Sequence, residues 1–595
     1  MRHRKLLAVA LSGLAFATLG AVRGGPATAL IRSDDRVTPD HIEGSYARLD
    51  GSVDPEHAFC SASLRQQAEP AVAVNPRDPR VIVAGATDQC YGGHRQVPIA
   101  NGQGWTALYR STDGGSSWRA SLMPDYPGDA NAGMPSSYCG QVDVTMAFDN
   151  EGRLFYGALC PDLRANEAPG DFHIVVSTFD TDGSRYVGTV GVDEDPSGAP
   201  DLTTAPDKPN LAVDTTSGPH AGNVYVAYTS CPRIVVEQGP GSIAPCVGAE
   251  GTVNVARSTD HGTSFSAPVP IGNGTGRPTW SDVAVGPDGH VYVTATNMDL
   301  NGAFSEVLLA RSTDGGATFT LFTGIATVKP FNSAQFAGTG NSGLAANSNQ
   351  QGHSPPCGDG VFACVTGFTF SPIRTVSAVT ADADGVHLAW SAQLPSGQAK
   401  VFVQTSPDGV NWPRPPVVVD PVSRGHQWYP DIASADGTIR VVFYDSRVDP
   451  GYAPNRPPGN TAEGVSSGPS VDTYETWSRN GGRNWTTRRL STVSSQPGLH
   501  AQLGARAPWV GDYLYVSAVP GGSYAVWTDA RDVVPGRDTR GGTEDGFDVA
   551  AACSWMPARE DLAGGYPYLT PRPDDACLSK GGLDVNIYGA TLRQP

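Results

Sequence analysis

The sequence contains no Cys-x-x-Cys pair, no long run with helical periodicity and only one long apolar segment, which lies at the N-terminus. Without cysteines at zinc-ligand spacing, a zinc ribbon has no support. Positive charge is also scarce, since the formal net charge is −18 and the pI is near 5.0. This balance argues against nucleic acid or anionic lipid as the main partner.

The N-terminal apolar segment predicts a removable signal peptide over residues 1–29. Arg2, Arg4 and Lys5 precede an apolar run over residues 6–22, and Ala27–Ala29 offers a small-residue cleavage site. The run is short for a bilayer span, and no second apolar segment follows it. No cysteine follows closely, which argues against a lipoprotein anchor. We therefore expect a secreted, extracellular protein without a membrane span.

The ten cysteines predict disulfides, because export leads to an oxidising compartment. They fall into couples that are adjacent in sequence, and each couple would close one local loop. Connectivity other than this adjacent pairing stays open. The couples are Cys60 with Cys90, Cys139 with Cys160, Cys231 with Cys246, Cys357 with Cys364, and Cys553 with Cys577.

One turn pattern recurs along the chain. Its Ser and Asp side chains suit bonds to nearby backbone amides, its Gly suits a positive φ, and its last aromatic residue anchors the next strand. The last two of the five copies are a drifted one and one in which an amide replaces the acid. The copies, here called the Asp turns, are Ser111–Trp118, Ser258–Phe265, Ser312–Phe319, Ser406–Trp412 and Ser478–Trp485.

A second pattern recurs between the Asp turns: an alternating strand, a short acidic or Gly turn, and a strand rich in Val and aromatics. Ser281–Val285, turning at Pro287–Gly289 into Val291–Val293, is one example. Seven such units predict an all-β fold, a propeller of seven four-stranded blades, with six blades as the alternative. A parallel β-helix and a two-sheet sandwich are less compatible with hairpins inside a long, regular repeat.

The same patterns predict the domain organisation. Residues 30–64 form an N-terminal extension, and residues 65–595 form the propeller. A segment rich in Gly, Asn and Ser, at about 329–373, is an insertion. The third strand of the seventh unit is expected at Phe547–Ala551, and Leu583–Tyr588 is expected to be a final strand that helps to close the ring.

The Asp turns resemble the Asp-box, or BNR, repeats of the sialidase superfamily, over a region from about Arg65 to Cys553. This resemblance implies that the turns close the hairpins between third and fourth strands, opposite the binding funnel. Their acids would then be structural: Asp113, Asp260, Asp314 and Asp408. A calcium loop is not indicated, because the turns lack its spaced carboxylates.

The resemblance also implies a set of catalytic residues on the funnel face. Sialidases hold a substrate carboxylate with three arginines and attack the sugar with a Tyr that a Glu activates, while an Asp serves as acid/base. The Arg-Ile-Pro motif that supplies their first arginine is absent, because Glu69–Val72 stands in its place. The candidate clamp is Arg277, Arg374 and Arg506; the candidate nucleophiles are Tyr429 and Tyr513; the candidate acid is Asp88.

Further polar and aromatic residues lie next to first or second strands. His426 and Trp428 could stack on a sugar or fill the seam between two blades. Asp445-x-Arg447 and Asp529-x-Arg531 occupy equivalent positions in two units. Their arginines could bind substrate, or each Asp-x-Arg pair could tie blades together.

Two functions remain open at this point. One is an exo-acting glycosidase of the exo-α-sialidase type, or a lyase on an acidic sugar. The other is a non-catalytic propeller that binds glycan or protein at the cell surface. We expect a monomer whose partner is an extracellular glycan or glycoconjugate, and the sequence requires neither a metal nor an organic cofactor.

Overall fold

The structure is a computed structural model. It describes residues 34–39, 43–63, 67–88, 90, 105–126, 129, 141–161, 172–193, 204–232, 251–272, 277–278, 280–298, 305–329, 376–450, 452, 454, 469–496, 511–533 and 584–592. The side chains of residues 161, 172, 232, 277 and 298 are outside this description. Within the described part of the chain, no helix is long and apolar enough to cross a membrane.

The described strands form seven antiparallel sheets, one for each blade. Strand β1 (Asp35–Arg36) and helix α1 (Pro55–Ala62) precede the first complete blade. Blade 1 contains β2 (Gln67–Val74), β3 (Ile82–Asp88), β4 (Trp105–Ser111) and β5 (Arg119–Leu122), and blade 2 contains β6 (Val142–Phe148), β7 (Leu154–Pro161), β8 (Phe172–Asp180) and β9 (Arg185–Gly191). Blade 3 contains β10 (Thr204–Val213), β11 (Val224–Pro232), β12 (Thr252–Ser258) and β13 (Val269–Ile271). Blade 4 contains β14 (Arg277–Pro278), β15 (Asp282–Val285), β16 (Val291–Met298), β17 (Ser305–Ser312) and β18 (Thr320–Val328).

The remaining strands complete the ring. Blade 5 contains β19 (Ser377–Asp382), β20 (Gly385–Gln393), β21 (Ala399–Ser406) and β22 (Val417–Val418), and blade 6 contains β23 (Gln427–Ala435), β24 (Thr438–Asp445), β25 (Asp472–Ser478) and β26 (Thr486–Arg489). Blade 7 contains β27 (Tyr515–Val519), β28 (Gly522–Asp529), β29 (Asn586–Thr591) and β1. The first strand of each blade contacts the first strands of both neighbouring blades, in a closed circle. The fold is therefore an all-β propeller of seven blades, as the repeats predicted.

Both ends of the described chain close the ring at blade 7. Strand β29 pairs with β28, and β1 pairs with β29, with Asp35 opposite Gly589. The expected closing strand near the C-terminus is therefore present. The expectation that Phe547–Ala551 is the third strand of this blade is wrong, because β29 takes the place beside β28; Phe547–Ala551 itself is outside the described residues.

The N-terminal extension is attached to blade 1. Tyr46 forms a parallel bridge with Ala120, and helix α1 begins where the Asp54 carboxylate accepts the backbone N–H of His57 at 2.9 Å. Cys60 in this helix forms a disulfide with Cys90, as the sequence predicted. Cys160 and Cys231 are also disulfide-bonded. The other cysteines of the predicted couples are outside the described residues.

The Asp turns connect the third and fourth strands of their blades. In one copy Asp314 Oδ1 accepts the backbone N–H groups of Ala317 and Thr318 at 3.0 and 2.9 Å, and its Oδ2 accepts the Thr318 hydroxyl at 2.6 Å. The Thr318 hydroxyl is the main cause that lowers the pKa of Asp314. Asn480 repeats the backbone contacts through Oδ1, from Arg483 and Asn484.

Glycines of the Asp turns also lie against aromatic rings of the preceding blade. Gly316 has φ +79°, and a Cβ there would lie 2.8 Å from the ring of Tyr225 in the preceding blade. Gly409 meets Tyr292 in the same way, at 2.7 Å. A side chain would therefore both strain the turn and push the blades apart.

The amide copy of the turn predicts that two substitutions of Asp314 differ in their effect on stability. We expect Asp314→Ala to lower the free energy of unfolding by about 1–2 kcal/mol, since it removes several hydrogen bonds to the turn. Asp314→Asn should cost less than half as much, because Asn480 holds the equivalent turn with one oxygen. Denaturant unfolding of the two variants measures the difference. Equal losses would show that the backbone contacts at Oδ1 contribute little.

Candidate functional site

A pocket lies at the centre of the ring, where residues from five of the seven blades meet. Its free volume is about 500 Å³, a figure that includes open solvent at its mouth. Its lining includes Lys208 and Asn210 of blade 3, Trp280 and Asp282 of blade 4, Val376 and Ala378 of blade 5, Tyr429 and Asp431 of blade 6, and Asp512, Tyr513 and Tyr515 of blade 7.

The first strands of four blades contain a bulge close to the centre of the ring. In four blades the register shifts by one residue near the start of the first strand, and the first residue of each bulge has a positive φ. These residues are Glu69, Asp143, Lys208 and Tyr429, with φ of 57°, 54°, 51° and 47°. A left-handed backbone is unfavourable for such side chains, and strain of this kind is concentrated at functional sites.

The bulge positions have counterparts in the other three blades. Trp280 lies between β14 and β15, where the first strand of blade 4 is interrupted. Val376 and Tyr513 occupy the position of Lys208 in their blades. In each case the backbone N–H three residues later donates to a side chain of the preceding blade. These donors are Leu211, Val379 and Val516, and their acceptors are Thr145, Asp282 and Asp431, in that order. We call this set the axial ring: Glu69, Asp143, Lys208, Trp280, Val376, Tyr429 and Tyr513.

Lys208 holds the axial ring together by charge. Its Nζ lies 3.2 Å from Glu69 Oε1, 2.5 Å from Asp143 Oδ1 and 2.8 Å from Asp512 Oδ2. The four side chains are only 11%, 7%, 8% and 13% exposed, in that order. The same Nζ lies 5.0 Å from the ring centre of Trp280 and 5.5 Å from that of Tyr513. The ammonium group of Lys208 therefore contacts three carboxylates and lies over two aromatic faces.

The surroundings of this cluster raise the pKa values of Lys208, Glu69 and Tyr513. Burial by itself would lower the pKa of Lys208, but Asp143, Asp512 and Glu69 raise it well above its usual value. Burial, followed by the charge of Asp143, raises the pKa of Glu69 well above the usual range, although Lys208 opposes this. Burial and the neighbouring acids likewise raise the pKa of Tyr513. The ammonium thus stays charged, while Glu69 and Tyr513 tend to keep their protons.

A second layer of the pocket contains two partly buried acids, Asp282 and Asp431, whose carboxyl groups join blades. Asp282 Oδ2 accepts the N–H of Val379 at 2.7 Å, and Asp431 Oδ2 accepts that of Val516 at 2.6 Å. Burial raises the pKa of Asp282 to about 7, and burial together with the charge of Asp282 raises that of Asp431. In blade 2 Thr145 makes the equivalent contact, accepting the N–H of Leu211 at 3.1 Å.

This layer predicts a pH-dependent stability. An acid with a raised folded-state pKa binds its proton more tightly in the folded protein, so its stabilising contribution is complete below the unfolded pKa of about 4 and is lost as the pH rises through about 7. Asp282→Thr copies the arrangement at Thr145, since it keeps an acceptor for Val379 and removes the titration. We expect urea unfolding between pH 5 and pH 8 to show a smaller decline in the variant. The same decline in both proteins would contradict the assignment to Asp282.

Two residues of the sequence-predicted site line the pocket, namely the candidate nucleophiles Tyr429 and Tyr513. Their positions bring them close to Lys208 and Trp280, whose ring centre lies 6.1 Å from that of Tyr429. The three-arginine clamp is outside the described part of the site. Arg374 and Arg506 are outside the described residues, and only the backbone of Arg277 is described, in β14.

Other predicted site residues lie away from the pocket lining. Asp88 is fully buried at the end of β3, where it accepts the Tyr46 hydroxyl at 2.7 Å and the backbone N–H of Cys90 at 2.9 Å. His426 is buried, and its Nδ1 accepts the backbone N–H of Ala399 at 3.1 Å. Trp428 is buried against Tyr444, with ring centres 5.8 Å apart. These contacts place all three inside blades or between them.

The two Asp-x-Arg pairs have matching environments. Arg447 binds Asp445 and Asp420 and lies over the ring of Tyr474, at 3.8 Å from its centre. Arg531 binds Asp529 and Asp34 in the same manner and lies over Tyr588, at 3.9 Å. Asp529 and Tyr588 belong to the same blade as Arg531, so the guanidinium fixes the loop after a second strand to its own sheet.

Sequence reasoning missed Lys208, Asp143 and Asp512. A signal was present, because three of the four bulges place the axial residue directly before proline, at Glu69-Pro70, Lys208-Pro209 and Tyr429-Pro430. Among the residues that the structure describes, no group of three or more His, Cys, Asp or Glu side chains is arranged to hold a metal ion.

Comparisons with known proteins concern the fold. No family model and no curated protein matches the chain. The chain is similar to a solved Hadza microbial sialidase, with 12% identity and a TM-score of 0.36 over 71% of each chain. It is similar to the intramolecular trans-sialidase from Ruminococcus gnavus in complex with oseltamivir carboxylate, with 13% identity and a TM-score of 0.37 over 73% of this chain and 96% of that one. The chain is also similar to an ulvan lyase of a polysaccharide lyase family, with 10% identity and a TM-score of 0.36 over 63% of this chain and 76% of that one.

The prediction of a seven-bladed all-β propeller is confirmed by the chain's own topology, in which seven antiparallel sheets close a ring. Similarities of this size give no information about substrate or reaction.

Proposed function

We propose that the protein is a secreted, glycan-active propeller that receives the terminal sugar of an extracellular glycan in the central pocket and acts there as an exo-glycosidase. The observation that carries this proposal is the axial ring, in which strained bulges bring Lys208 and Tyr429 to the pocket lining and place Glu69 and Asp143 in contact with Lys208. Trp280, Tyr429 and Tyr513 offer aromatic faces to the apolar side of a sugar ring. Asp512 and Lys208 offer partners for its hydroxyl groups.

Proton transfer is assigned to Glu69. Glycosidic cleavage needs a carboxylic acid that keeps its proton until the leaving oxygen departs, and burial beside Asp143 gives Glu69 this property. Tyr513 is the candidate nucleophile, since it lies in the same cluster. As its phenol oxygen bonds to the anomeric carbon, its proton passes to a neighbouring carboxylate, Asp143 or Asp512, and the bond to the leaving oxygen breaks as Glu69 protonates that oxygen.

Glu69 reaches the pocket through its contact with Lys208. The sequence-predicted acid, Asp88, has no part in this proposal because its carboxylate accepts the Tyr46 hydroxyl and the Cys90 N–H at the end of β3.

One observation favours a second candidate function, a non-catalytic propeller that binds glycan. Glu69, Asp143 and Asp512 all contact Lys208, whose ammonium lies beside both the proposed acid Glu69 and the proposed nucleophile Tyr513, where the reacting sugar would have to bind. The pocket would then recognise a sugar without cleaving it.

The experiment is hydrolysis of a panel of aryl glycosides, including a sialoside, by the protein purified from culture medium. We expect release of aryl alcohol from at least one sugar, and a fall of about 100-fold or more in kcat for Glu69→Gln, since general acid catalysis contributes that much. Arg374→Ala tests the predicted arginine clamp in the same assay. Glycan binding without release from any sugar would favour the binding protein over the enzyme. An N-terminus at Leu30 in the secreted protein would support the predicted signal peptide.

A further inference from the structure

The charge of the central pocket is unusual for a site that would bind an acidic sugar. Of the described residues that line it, Lys208 is the only cation, whereas Asp282, Asp431 and Asp512 carry carboxyl groups. Glu69 and Asp143 add two more acids within ion-pair distance of Lys208. Carboxyl groups in and beside the described lining therefore outnumber its one cation, and Asp143 and Asp512 alone place two carboxylates against the single ammonium of Lys208.

The single cation of this described lining is already engaged. Lys208 Nζ contacts three carboxylates, and it also lies over Trp280 and Tyr513. An incoming carboxylate would have to displace one of these acids and would then face the others at close range, in a site with little water. A sialidase-type clamp has the opposite design, with cations that converge on an anion.

An incoming ammonium meets a different environment. Asp512 is the most exposed of the three acids that contact Lys208, at 13%. The faces of Trp280 and Tyr513 already accept one cation, and electron-rich aromatic faces are ordinary partners for ammonium groups. The ring of Tyr429 lies beside Trp280 and extends this wall.

We infer that the central pocket prefers a sugar that carries an amino group to the corresponding neutral sugar, and that it rejects the corresponding acidic sugar. This inference rests on the proposed function, namely that the pocket receives the terminal sugar of a glycan. It adds the class of that sugar. The reason is that two carboxylates, Asp143 and Asp512, face the single ammonium of Lys208, together with the aromatic walls.

The test uses methyl glycosides that differ only in charge: a neutral hexose, its 2-amino-2-deoxy derivative and its 6-carboxylate, in the gluco, galacto and manno series. Binding is measured by isothermal titration at pH 6, where the amine is protonated, in low and high salt. We expect the amino sugar to bind at least about tenfold more tightly than the acidic one in the series that binds best, because opposite and like charges lie within a few ångströms. The ratio should shrink at high salt.

Asp512→Asn is the matched variant, since it removes one charge and keeps the shape of the side chain. It should reduce the ratio of amino-sugar to neutral-sugar affinity by several fold. Tighter binding of the acidic sugar, or an unchanged ratio in the variant, would overturn the inference and leave the proposed function in place. No binding of any glycoside would overturn the proposed function and the inference with it.

Discussion

Replacing Lys208 by methionine is expected to destabilise the folded protein by about 3–5 kcal/mol, because removing one member of a buried ion-pair cluster leaves the others without compensation. Methionine fills a similar space, so the loss comes from charge and not from a cavity. Three carboxylates, from Glu69, Asp143 and Asp512, would remain crowded within about 6 Å of one another, a range in which like charges repel strongly. Denaturant unfolding at pH 8 measures the change.

The defect should also depend on pH. At pH 5 the crowded carboxylates of the variant can take up protons, so the difference from the unmodified protein is expected to shrink. The control is Arg80→Met, which removes an exposed pair with Asp78 at 2.7 Å. Exposed pairs contribute little, so this variant should unfold like the parent. If Lys208→Met behaved like Arg80→Met at pH 8, Lys208 would not be the centre of the axial ring.

The second large effect concerns ligand binding. We expect Trp280→Ala to weaken the affinity for the best-binding glycoside by about tenfold or more, since the substitution removes an aromatic face worth roughly 1–2 kcal/mol to a stacked ligand. Trp280 lines the pocket next to Tyr429. In the variant the ring of Tyr429 remains, but it does not replace the aromatic face that Trp280 provides. Isothermal titration with the same glycosides measures this change.

A tryptophan on the other side of the propeller provides the control. Trp485 belongs to an Asp turn, between β25 and β26, and its Nε1 donates to the carbonyl of Gly482 at 3.1 Å. Because strands alternate in direction, this turn lies at the end of the sheet opposite the pocket. Trp485→Ala should lower stability and leave glycoside affinity within about twofold, as expected for a change remote from the ligand. Weaker binding in both variants would indicate a loss of folded protein.

The repeats made the architecture predictable, because turn chemistry is local. Asp314 and Asn480 bond to amides only a few residues away, so their motif can be recognised in the sequence and counted. Strand β29 was also foreseen. The pairing of β1 with β29 was not, since it joins Asp35 to Gly589 and no local pattern connects the two ends of a chain.

Local sequence could not separate neighbouring residues at the candidate site. Tyr429 and Tyr513 line the central pocket, whereas His426 and Trp428, which are near neighbours of Tyr429 in the chain, lie in the packed interior. A bulge decides this difference, because the extra residue turns Tyr429 alone toward the axis.

The sequence by itself determined most strands and the turns and favoured seven blades over six, since these features depend on residues that are close together in the chain. Only the tertiary structure decided which side chains meet. Lys208 joins acids from residue 69, residue 143 and residue 512, and the circular arrangement of the blades brings these distant positions to one axis. Charge interactions fall off with distance in space and not along the chain, so the cluster becomes visible only after the ring has closed.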